Sequence, residues 1–198
     1  HISVLKITAG KITEADDKVA AEEPLEIQLA YSTSTGRLQK NIAVTMRTPG
    51  NDEELAAGFL FTEGIIKTAA HIQGIKQFTV DENRVLVTLR ENIMPVLANA
   101  ARNFYSTSSC GVCGKASIDA IKTVSLFGDE SDNISINPSI LYHLQDDLKQ
   151  QQKIFEDTGG IHASALFDTD GKFMMLREDV GRHNALDKII GAALMNDQ

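Results

Sequence analysis

Two short stretches, LEIQL at residues 25–29 and IAVTM at residues 42–46, decide the fold class of this chain. Larger apolar side chains recur at every second position in both, and a period of two residues predicts β-strands with one buried face. The sequence STSTG at residues 32–36 is typical of a turn. The two strands are therefore predicted to form an antiparallel hairpin.

A helix and a second hairpin are predicted immediately after this first hairpin. Asn51 or Asp52 is suited to begin a helix that ends near Gly64, with an apolar face that packs on the sheet. The face consists of Leu55, Phe59 and Leu60. Residues 77–89 predict the second hairpin, with its turn at residues 81–83. Residues 103–114 lack an apolar period and are rich in Ser and Gly, so we expect a loop there.

Helices and strands also alternate irregularly in the C-terminal half. We expect helices at residues 115–124, 138–155 and 180–195, and paired strands at residues 161–167 and 173–177. An acidic connector, residues 128–137, precedes the second of these helices. The buried stripe of the helix at 138–155 is predicted to be Ile140, Leu144 and Leu148, and that of the last helix Leu186, Ile189, Ile190 and Ala193. This order of elements predicts an α/β fold with a mixed sheet.

Composition limits the classes of function. The chain has 198 residues, of which 42% are hydrophobic and 23% charged, as in ordinary globular proteins. The formal net charge of −8 argues against a protein that coats the phosphates of nucleic acid. No apolar stretch approaches the roughly 18 residues of a membrane-spanning helix, and the N-terminus does not resemble a signal peptide. We therefore expect a cytoplasmic protein that binds neither nucleic acid nor membranes.

The strongest chemical signal is a Cys-x-x-Cys motif formed by the chain's two cysteines, Cys110 and Cys113, within SSCGVCG at residues 108–114. The N-terminus of the helix predicted to follow, with Lys115, favours a thiolate. Four interpretations stay open: half of a zinc site completed by His162, His183 or a partner subunit, a dithiol oxidoreductase, a persulfide carrier, and unreactive cysteines in a tight turn. Zinc lacks a second cysteine pair, and a thioredoxin-like motif normally follows the first strand, so the carrier is favoured.

Two further segments are candidate binding sites. Gly159 and Gly160 allow close approach of the backbone to a ligand just before His162, although a lone histidine in a strand is more often a hydrogen-bonded core residue. The sequence REDVGRHNALDK at residues 177–188 places Arg177, Arg182 and His183 around a predicted helix N-terminus, which suits a phosphate or pyrophosphate group. The structural alternative is a capped helix whose charged side chains form surface ion pairs. Residues 47–54 are fully explained as a turn followed by a capped helix.

Several motifs together resemble those of the formate dehydrogenase accessory sulfurtransferases, the FdhD family. They are TPGND at 48–52, ELAAGFL at 54–60, CGVCG at 110–114, TGGIH at 158–162 and EDVGRHNALDK at 178–188. The resemblance implies a cytidine-deaminase-like core with a smaller N-terminal β-rich portion. On this basis we expect a β-rich portion with one helix at residues 1–108, and the Cys-x-x-Cys loop plus a deaminase-like α/β portion at residues 109–198.

The resemblance also implies a function. A member of this family accepts persulfide sulfur from a cysteine desulfurase and passes it to the molybdenum bis-guanine-dinucleotide cofactor for formate dehydrogenase, and it works as a homodimer. The cofactor is then a substrate, GDP is a possible mimic of its nucleotide part, and no tightly bound metal is expected. By resemblance, Cys110 carries the persulfide and Cys113 assists or resolves it, while a cofactor pocket is lined by His162, Arg182, His183, Asn184, Gly159 and Gly160.

The same comparison shows one departure from the family pattern, excludes one function and leaves one alternative function. Family members usually continue beyond the helix at 180–195 into Ser-Ala-Pro-Thr and Gly-Phe-x-Arg-Gly type motifs that contribute to the cofactor site, and neither motif occurs in this sequence. Zinc-dependent deamination is rejected because the His-x-Glu and Pro-Cys-x-x-Cys motifs are absent. A non-catalytic or zinc-binding accessory protein that docks the desulfurase and the dehydrogenase remains the alternative function.

Overall fold

The computed structural model describes residues 1–78, 82–97, 104–106 and 135–196. The predicted helix at 115–124, the loop at 107–114 with both cysteines, and the connector at 128–134 lie outside the described residues. None of the described helices is long and apolar enough to cross a membrane.

A mixed five-stranded sheet, in the order β5-β6-β3-β4-β7, forms the N-terminal half. The strands are β3 (Glu23–Thr33), β4 (Gly36–Arg47), β5 (Ile72–Gln77), β6 (Arg84–Leu89) and β7 (Phe104–Ser106). β3 pairs antiparallel with β4, as predicted, whereas the pairs β3–β6 and β4–β7 are parallel. β5 and β6 also pair antiparallel, but β5 ends at Gln77, where the first strand of the predicted hairpin at 77–89 was expected to begin, so that strand was predicted too far along the chain. The α/β class with a mixed sheet is confirmed.

Helix α1 (Asp52–Thr62) covers one face of this sheet, as its apolar residues predict. Leu55 and Leu60 are fully buried and Phe59 packs against the same cluster. The cluster also contains side chains two residues apart on the face of β3 and β6 that meets α1: Leu25, Ile27, Leu29, Val85, Val87 and Leu89. Gln28 and Ala30 on the other face of β3 are buried as well. The hydrophobic effect of this burial fixes α1 on the sheet.

A separate hairpin precedes the sheet and was not predicted from the sequence. Strands β1 (Ile2–Thr8) and β2 (Lys11–Asp17) pair with each other in a two-stranded sheet. Leu5, Ile7 and Ile12 on this hairpin are exposed by 63% to 72%. Apolar and polar residues do not alternate regularly in these two strands, so the sequence carries no clear signal for them. The strands correspondingly bury no common apolar face.

Within residues 135–196 the structure describes three helices and a further antiparallel hairpin. They are α2 (Pro138–Gln151), α3 (Lys153–Thr158), β8 (His162–Phe167), β9 (Phe173–Asp179) and α4 (Arg182–Met195). A 3₁₀ turn at Ala69–His71 lies in the N-terminal half, just before β5. β8 and β9 pair antiparallel, as predicted. Helix α4 packs on both of them and on α1, and so joins the two halves of the chain.

Two other boundary predictions are wrong, each because of a tertiary contact. The helix predicted at 138–155 is broken at Gln152, since the carboxylate of Glu178 on β9 accepts hydrogen bonds from the backbone N–H groups of Ile154 and Phe155, 3.0 and 2.9 Å away, and so caps a new helix. The loop predicted at 103–114 contains β7, which forms because β4 offers it a parallel edge. Neither contact has a local sequence signal.

The buried stripe predicted for the last helix is also shifted. Leu186 is 48% exposed, whereas Ala185, Lys188, Ile189, Gly191 and Ala192 are buried. The cause is the crossing with α1, where a Cβ at Gly58 would lie 1.9 Å from the carbonyl oxygen of Asp187, and one at Gly191 would lie 1.8 Å from that of Glu54. Two glycines thus let the helix backbones touch, and the small side chains of α4 face inward.

Candidate functional site

The end of β4 is joined to the start of α4 through Thr48, and every polar group of this residue takes part. Its backbone N–H donates to Asp179 Oδ2 over 3.1 Å, and its hydroxyl accepts from the N–H of Val180 over 3.0 Å. Its carbonyl oxygen accepts from Lys188 Nζ over 2.8 Å. These groups lie more than 130 residues apart in sequence. The turn after β4 and the turn before α4 therefore form one rigid unit.

Asp179, the last residue of β9, is the centre of this unit. It is fully buried, and its Oδ1 accepts from the N–H of Gly181 over 2.8 Å and from Asn184 Nδ2 over 3.0 Å. Its Oδ2 accepts from Thr48 and lies 2.7 Å from Lys188 Nζ. A buried carboxylate is tolerated only when it is paired and fully hydrogen-bonded, as this one is.

Lys188 completes the ion pair from the buried face of α4. Its side chain is 1% exposed, and Nζ contacts Asp179 and the carbonyl oxygens of Thr48 and Glu178, the last over 3.3 Å. An ammonium group has three N–H donors, so all three are matched by acceptors. The alternative interpretation of this segment, a helix with surface ion pairs, is wrong for Lys188, because its ion pair is buried.

Asn184 links the first turn of α4 to the sheet. Its Nδ2 donates to the carbonyl oxygen of Met46 over 2.7 Å and to Asp179 Oδ1, while its Oδ1 accepts from the hydroxyl of Thr45 over 3.2 Å. Thr45 is also the β4 residue that pairs with Ser106 of β7. The side chain of Asn184 therefore lies between the start of α4 and the β4–β7 edge of the sheet.

Two arginine–carboxylate pairs are close to this unit in sequence. Buried Arg47 holds Asp52 with two hydrogen bonds, Nε to Oδ1 at 3.1 Å and Nη2 to Oδ2 at 2.8 Å, which ties the end of β4 to the start of α1. Arg177 on β9 likewise binds Glu54, at 2.5 and 2.7 Å. The hydrogen bonds that Arg177 donates to Glu54 raise the pKa of Arg177, while burial acts in the opposite direction. Arg177 is thus held within the protein by a carboxylate.

The remaining predicted site residues are exposed around this unit. Arg182 and His183 lie on the first turn of α4, and His162 begins β8 directly opposite Asp179 in the register of the hairpin. Gly159 ends α3 with a φ of 66°, a conformation that glycine adopts without strain. Gly160 follows it just before β8. The N-terminus of α4 therefore has one arginine, Arg182, and two histidines, His183 and His162, near it, an arrangement that attracts anions.

Comparison with known proteins decides the family. A sequence model of the FdhD/NarQ family matches residues 20–198. The chain belongs to the FdhD/NarQ family. It is 43% identical over 198 residues to the sulfur carrier protein FdhD of Mycolicibacterium paratuberculosis, covering 96% of this chain and 70% of that protein. The FdhD proteins of Streptomyces avermitilis and Thermoplasma volcanium are 43% and 37% identical, over 98% of this chain and 68% and 70% of their own lengths.

The fold is also found in a crystal structure of a protein from Desulfotalea psychrophila, which is described as a putative formate dehydrogenase accessory protein. The two structures superimpose with a TM-score of 0.70 over the whole of this chain and 68% of that one, at 23% sequence identity. At this identity the comparison supports the fold. It agrees with the mixed α/β architecture described above.

Cys110 and Cys113, the FdhD/NarQ residues of greatest chemical interest, lie outside the described residues. The strand that leads towards them is described, since β7 ends at Ser106, four positions before Cys110, and pairs with β4 at Thr45. Within residues 1–78, 82–97 and 135–196, no group of three or more His, Asp or Glu side chains is arranged to hold a metal ion.

Several residues that build the site were not predicted from the sequence. Thr45, Thr48, Asp179 and Lys188 were missed or taken as surface groups. One signal was available for Lys188, because it stands three residues after Ala185 and four before Ala192, on the stripe of small residues that packs inward. A lysine on such a stripe needs a buried partner.

Proposed function

We propose that this chain is a sulfur carrier. In this proposal Cys110 accepts persulfide sulfur from a cysteine desulfurase and passes it to the molybdenum bis-guanine-dinucleotide cofactor of a formate dehydrogenase. The observation that carries it is the FdhD/NarQ match across residues 20–198, a range that includes both cysteines and whose curated relatives are named sulfur carrier proteins. The chemistry of a Cys-x-x-Cys pair agrees with that name.

The transfer itself is thiol–persulfide exchange. The thiolate of Cys110 attacks the terminal sulfur of the donor persulfide, a new S–S bond forms, the donor's S–S bond breaks, and the donor cysteine leaves as a thiolate. No net oxidation occurs in this step. In this proposal Cys113 can release the sulfur: its thiolate attacks the inner sulfur of the Cys110 persulfide, hydrosulfide leaves, and the Cys110–Cys113 disulfide that forms is reduced by two equivalents of a small thiol.

The sheet supports the location of this chemistry. Cys110 follows Ser106 by four positions, and four residues of fully extended chain span at most about 14 Å. Ser106 pairs with Thr45, whose hydroxyl binds Asn184 at the start of α4. The chain that carries the cysteines thus leaves the sheet beside the helix N-terminus that bears Arg182 and His183.

That helix N-terminus supports the second half of the proposal, the binding of an anionic acceptor. A dinucleotide cofactor carries pyrophosphate groups, and exposed Arg182 and His183 at a helix N-terminus suit such groups. We propose that His162, Gly159 and Gly160 complete the pocket and that Asn184 supports it from the first turn of α4. We also propose that the protein works as a homodimer in the cytoplasm with the desulfurase and the dehydrogenase as partners.

The experiment is intact-mass spectrometry after incubation with a cysteine desulfurase and cysteine. The parent protein should gain about 32 Da per sulfur atom, and a thiol reductant should remove the gain. Cys110→Ala should show no gain, whereas the matched variant Cys113→Ala should still load. Absence of loading on the parent refutes the carrier and leaves a docking or zinc-binding accessory protein, which zinc analysis of the purified protein separates. Sedimentation at working concentration tests the dimer.

A further inference from the structure

The side chain of Asn184 has little left to offer a ligand. An asparagine amide has two N–H donors and two acceptor positions. Both donors are used within the protein, on the carbonyl oxygen of Met46 at 2.7 Å and on Asp179 Oδ1 at 3.0 Å. One acceptor position is taken by the hydroxyl of Thr45 at 3.2 Å. Three of its four hydrogen-bonding positions are therefore occupied.

The orientation of this amide is determined by its neighbours. A flipped amide would bring Oδ1 against the carbonyl oxygen of Met46 and the carboxylate of Asp179, where neither group can donate a hydrogen bond. The hydroxyl of Thr45 then meets Oδ1 and donates to it. Strand β4 thus holds Asn184 from two consecutive residues.

Gly181 provides an independent sign that Asn184 packs tightly on the turn before α4. A Cβ at position 181 would lie 3.0 Å from Asn184 Nδ2 and 3.2 Å from its Cγ. Serine, threonine, aspartate and asparagine are the usual residues at a helix N-cap, yet glycine occupies this one. The amide of Asn184 fills the space that a larger N-cap side chain would need.

We propose that Asn184 is a positioning residue and not a ligand group: through Thr45 and Met46 it fixes the first turn of α4 on strand β4, so that Arg182 and His183 face a bound anion. The inference rests on the proposed function, because the anion is the nucleotide part of the acceptor. Thr45 is then part of the same machinery although it is remote from the charged side chains in sequence. Its effect on binding passes entirely through Asn184.

The test is a double-mutant cycle on nucleotide affinity, with GDP as the probe and isothermal titration calorimetry as the assay. Thr45→Val removes one hydroxyl at constant shape and should raise the Kd for GDP about 3- to 10-fold, the effect of one hydrogen bond. Asn184→Ala should raise it about 10-fold or more, since it removes all three hydrogen bonds. The double variant should bind like Asn184→Ala alone, because Thr45 acts through Asn184. Thr88→Val on β6, also half-buried, is the matched control and should bind like the parent.

Salt dependence separates positioning from direct contact. Arg182→Ala should flatten the dependence of the Kd on ionic strength, whereas Thr45→Val and Asn184→Ala should keep the parent's slope, since they remove no charge. Thr45→Val and Thr88→Val should both show a cooperative thermal transition well above the assay temperature, which separates altered binding from loss of the fold. If Asn184→Ala weakens binding while Thr45→Val does not, Asn184 is a ligand group and the inference is wrong.

The two proposals fail in different ways. If Cys110 loads with sulfur but the Kd for GDP is the same in Thr45→Val and Thr88→Val, the sulfur carrier stands and the positioning role falls. If the cycle shows the expected coupling but Cys110 does not load, the positioning role stands and the carrier falls. A parent protein that does not bind GDP overturns the positioning role.

Discussion

Replacing Asp187 with asparagine should remove a pH dependence of folding stability. Asp187 lies on α4 at the crossing with α1, where its Oδ1 accepts a hydrogen bond from the hydroxyl of Thr62 over 3.0 Å. Burial raises the pKa of Asp187 from 3.8 to about 7, the bond from Thr62 acts in the opposite direction, and the charge of Glu63 raises it further. The unfolded chain has no such burial, so there the group ionises near its ordinary pKa of about 4.

The sign of the effect follows from proton linkage. Between about pH 4 and pH 7 the folded protein keeps a proton that the unfolded chain has already released, so the contribution of Asp187 to stability falls as the pH rises. A shift from 3.8 to about 7 corresponds, at about 1.4 kcal/mol per pKa unit, to a loss of about 4 kcal/mol by about pH 8. Below about pH 4 both states are protonated and the contribution is complete.

The asparagine side chain of the variant cannot ionise, and its amide oxygen can still accept from Thr62. Asp187→Asn should therefore match the parent near pH 4 within about 1 kcal/mol and exceed its stability at about pH 8 by about 3 to 4 kcal/mol. The assay is urea unfolding followed by circular dichroism at steps of about half a unit from about pH 4 to pH 8.5. The free-energy difference between variant and parent isolates this one group, since all other titrations are shared.

Asp146→Asn is the matched control, because Asp146 is exposed on α2. Its difference curve should be flat over the same pH range. A flat curve for Asp187→Asn as well, or a variant less stable than the parent at the alkaline end of the range, would refute the account of a carboxyl group kept protonated by burial in the helix crossing.

Three further substitutions test the contacts that hold the site together, all measured as free energies of unfolding in urea at neutral pH. Gly58→Ala should lower the free energy of unfolding by about 3 kcal/mol or more, since the new Cβ would lie 1.9 Å from a backbone carbonyl oxygen. Gly74→Ala, with open space around it, should lower it by no more than about 1 kcal/mol. Equal losses in the two variants would contradict the close helix crossing. Lys188→Met should lower the free energy of unfolding by about 3 to 5 kcal/mol because it leaves the buried carboxylate of Asp179 without its ion-pair partner. Its control, Lys149→Met on the exposed face of α2, should lower it by less than about 0.5 kcal/mol. Arg177→Ala should cost only about 1 to 2 kcal/mol, since its side chain and that of its partner keep about a fifth of their exposure; a cost above that of Lys188→Met would reverse the ranking of the two pairs.

Local periodicity was sufficient for most of the secondary structure. Three patterns each lie within one short segment, and each predicted its element: the apolar alternation in β3 and β4, the apolar face of α1, and the turn between β8 and β9. The interruption at Gln152 and the strand at β7 depend on partners elsewhere in the chain, Glu178 and β4. They could not be predicted because the segments themselves carry no corresponding pattern.

The candidate site was predicted in composition but not in organisation. The sequence placed Arg182, His183, Asn184 and His162 in ligand-binding motifs, and the structure brings the first three onto one helical turn with His162 beside Asp179. It also divides the segment at 177–188 into two groups. Arg177 and Lys188 are held by carboxylates within the protein, whereas Arg182 and His183 are exposed.

The sequence by itself determined the α/β class, the paired cysteines and the family, because periodicity and motif spacing are properties of short segments. Only the tertiary structure decided which charged groups of the C-terminal motif are buried supports and which are exposed. The reason is physical: Lys188 and Asp179 are tolerated in the interior because Thr48, more than 130 residues away in sequence, supplies the matching backbone N–H and carbonyl oxygen. Such a match exists only once α4, β9 and the turn after β4 have come together.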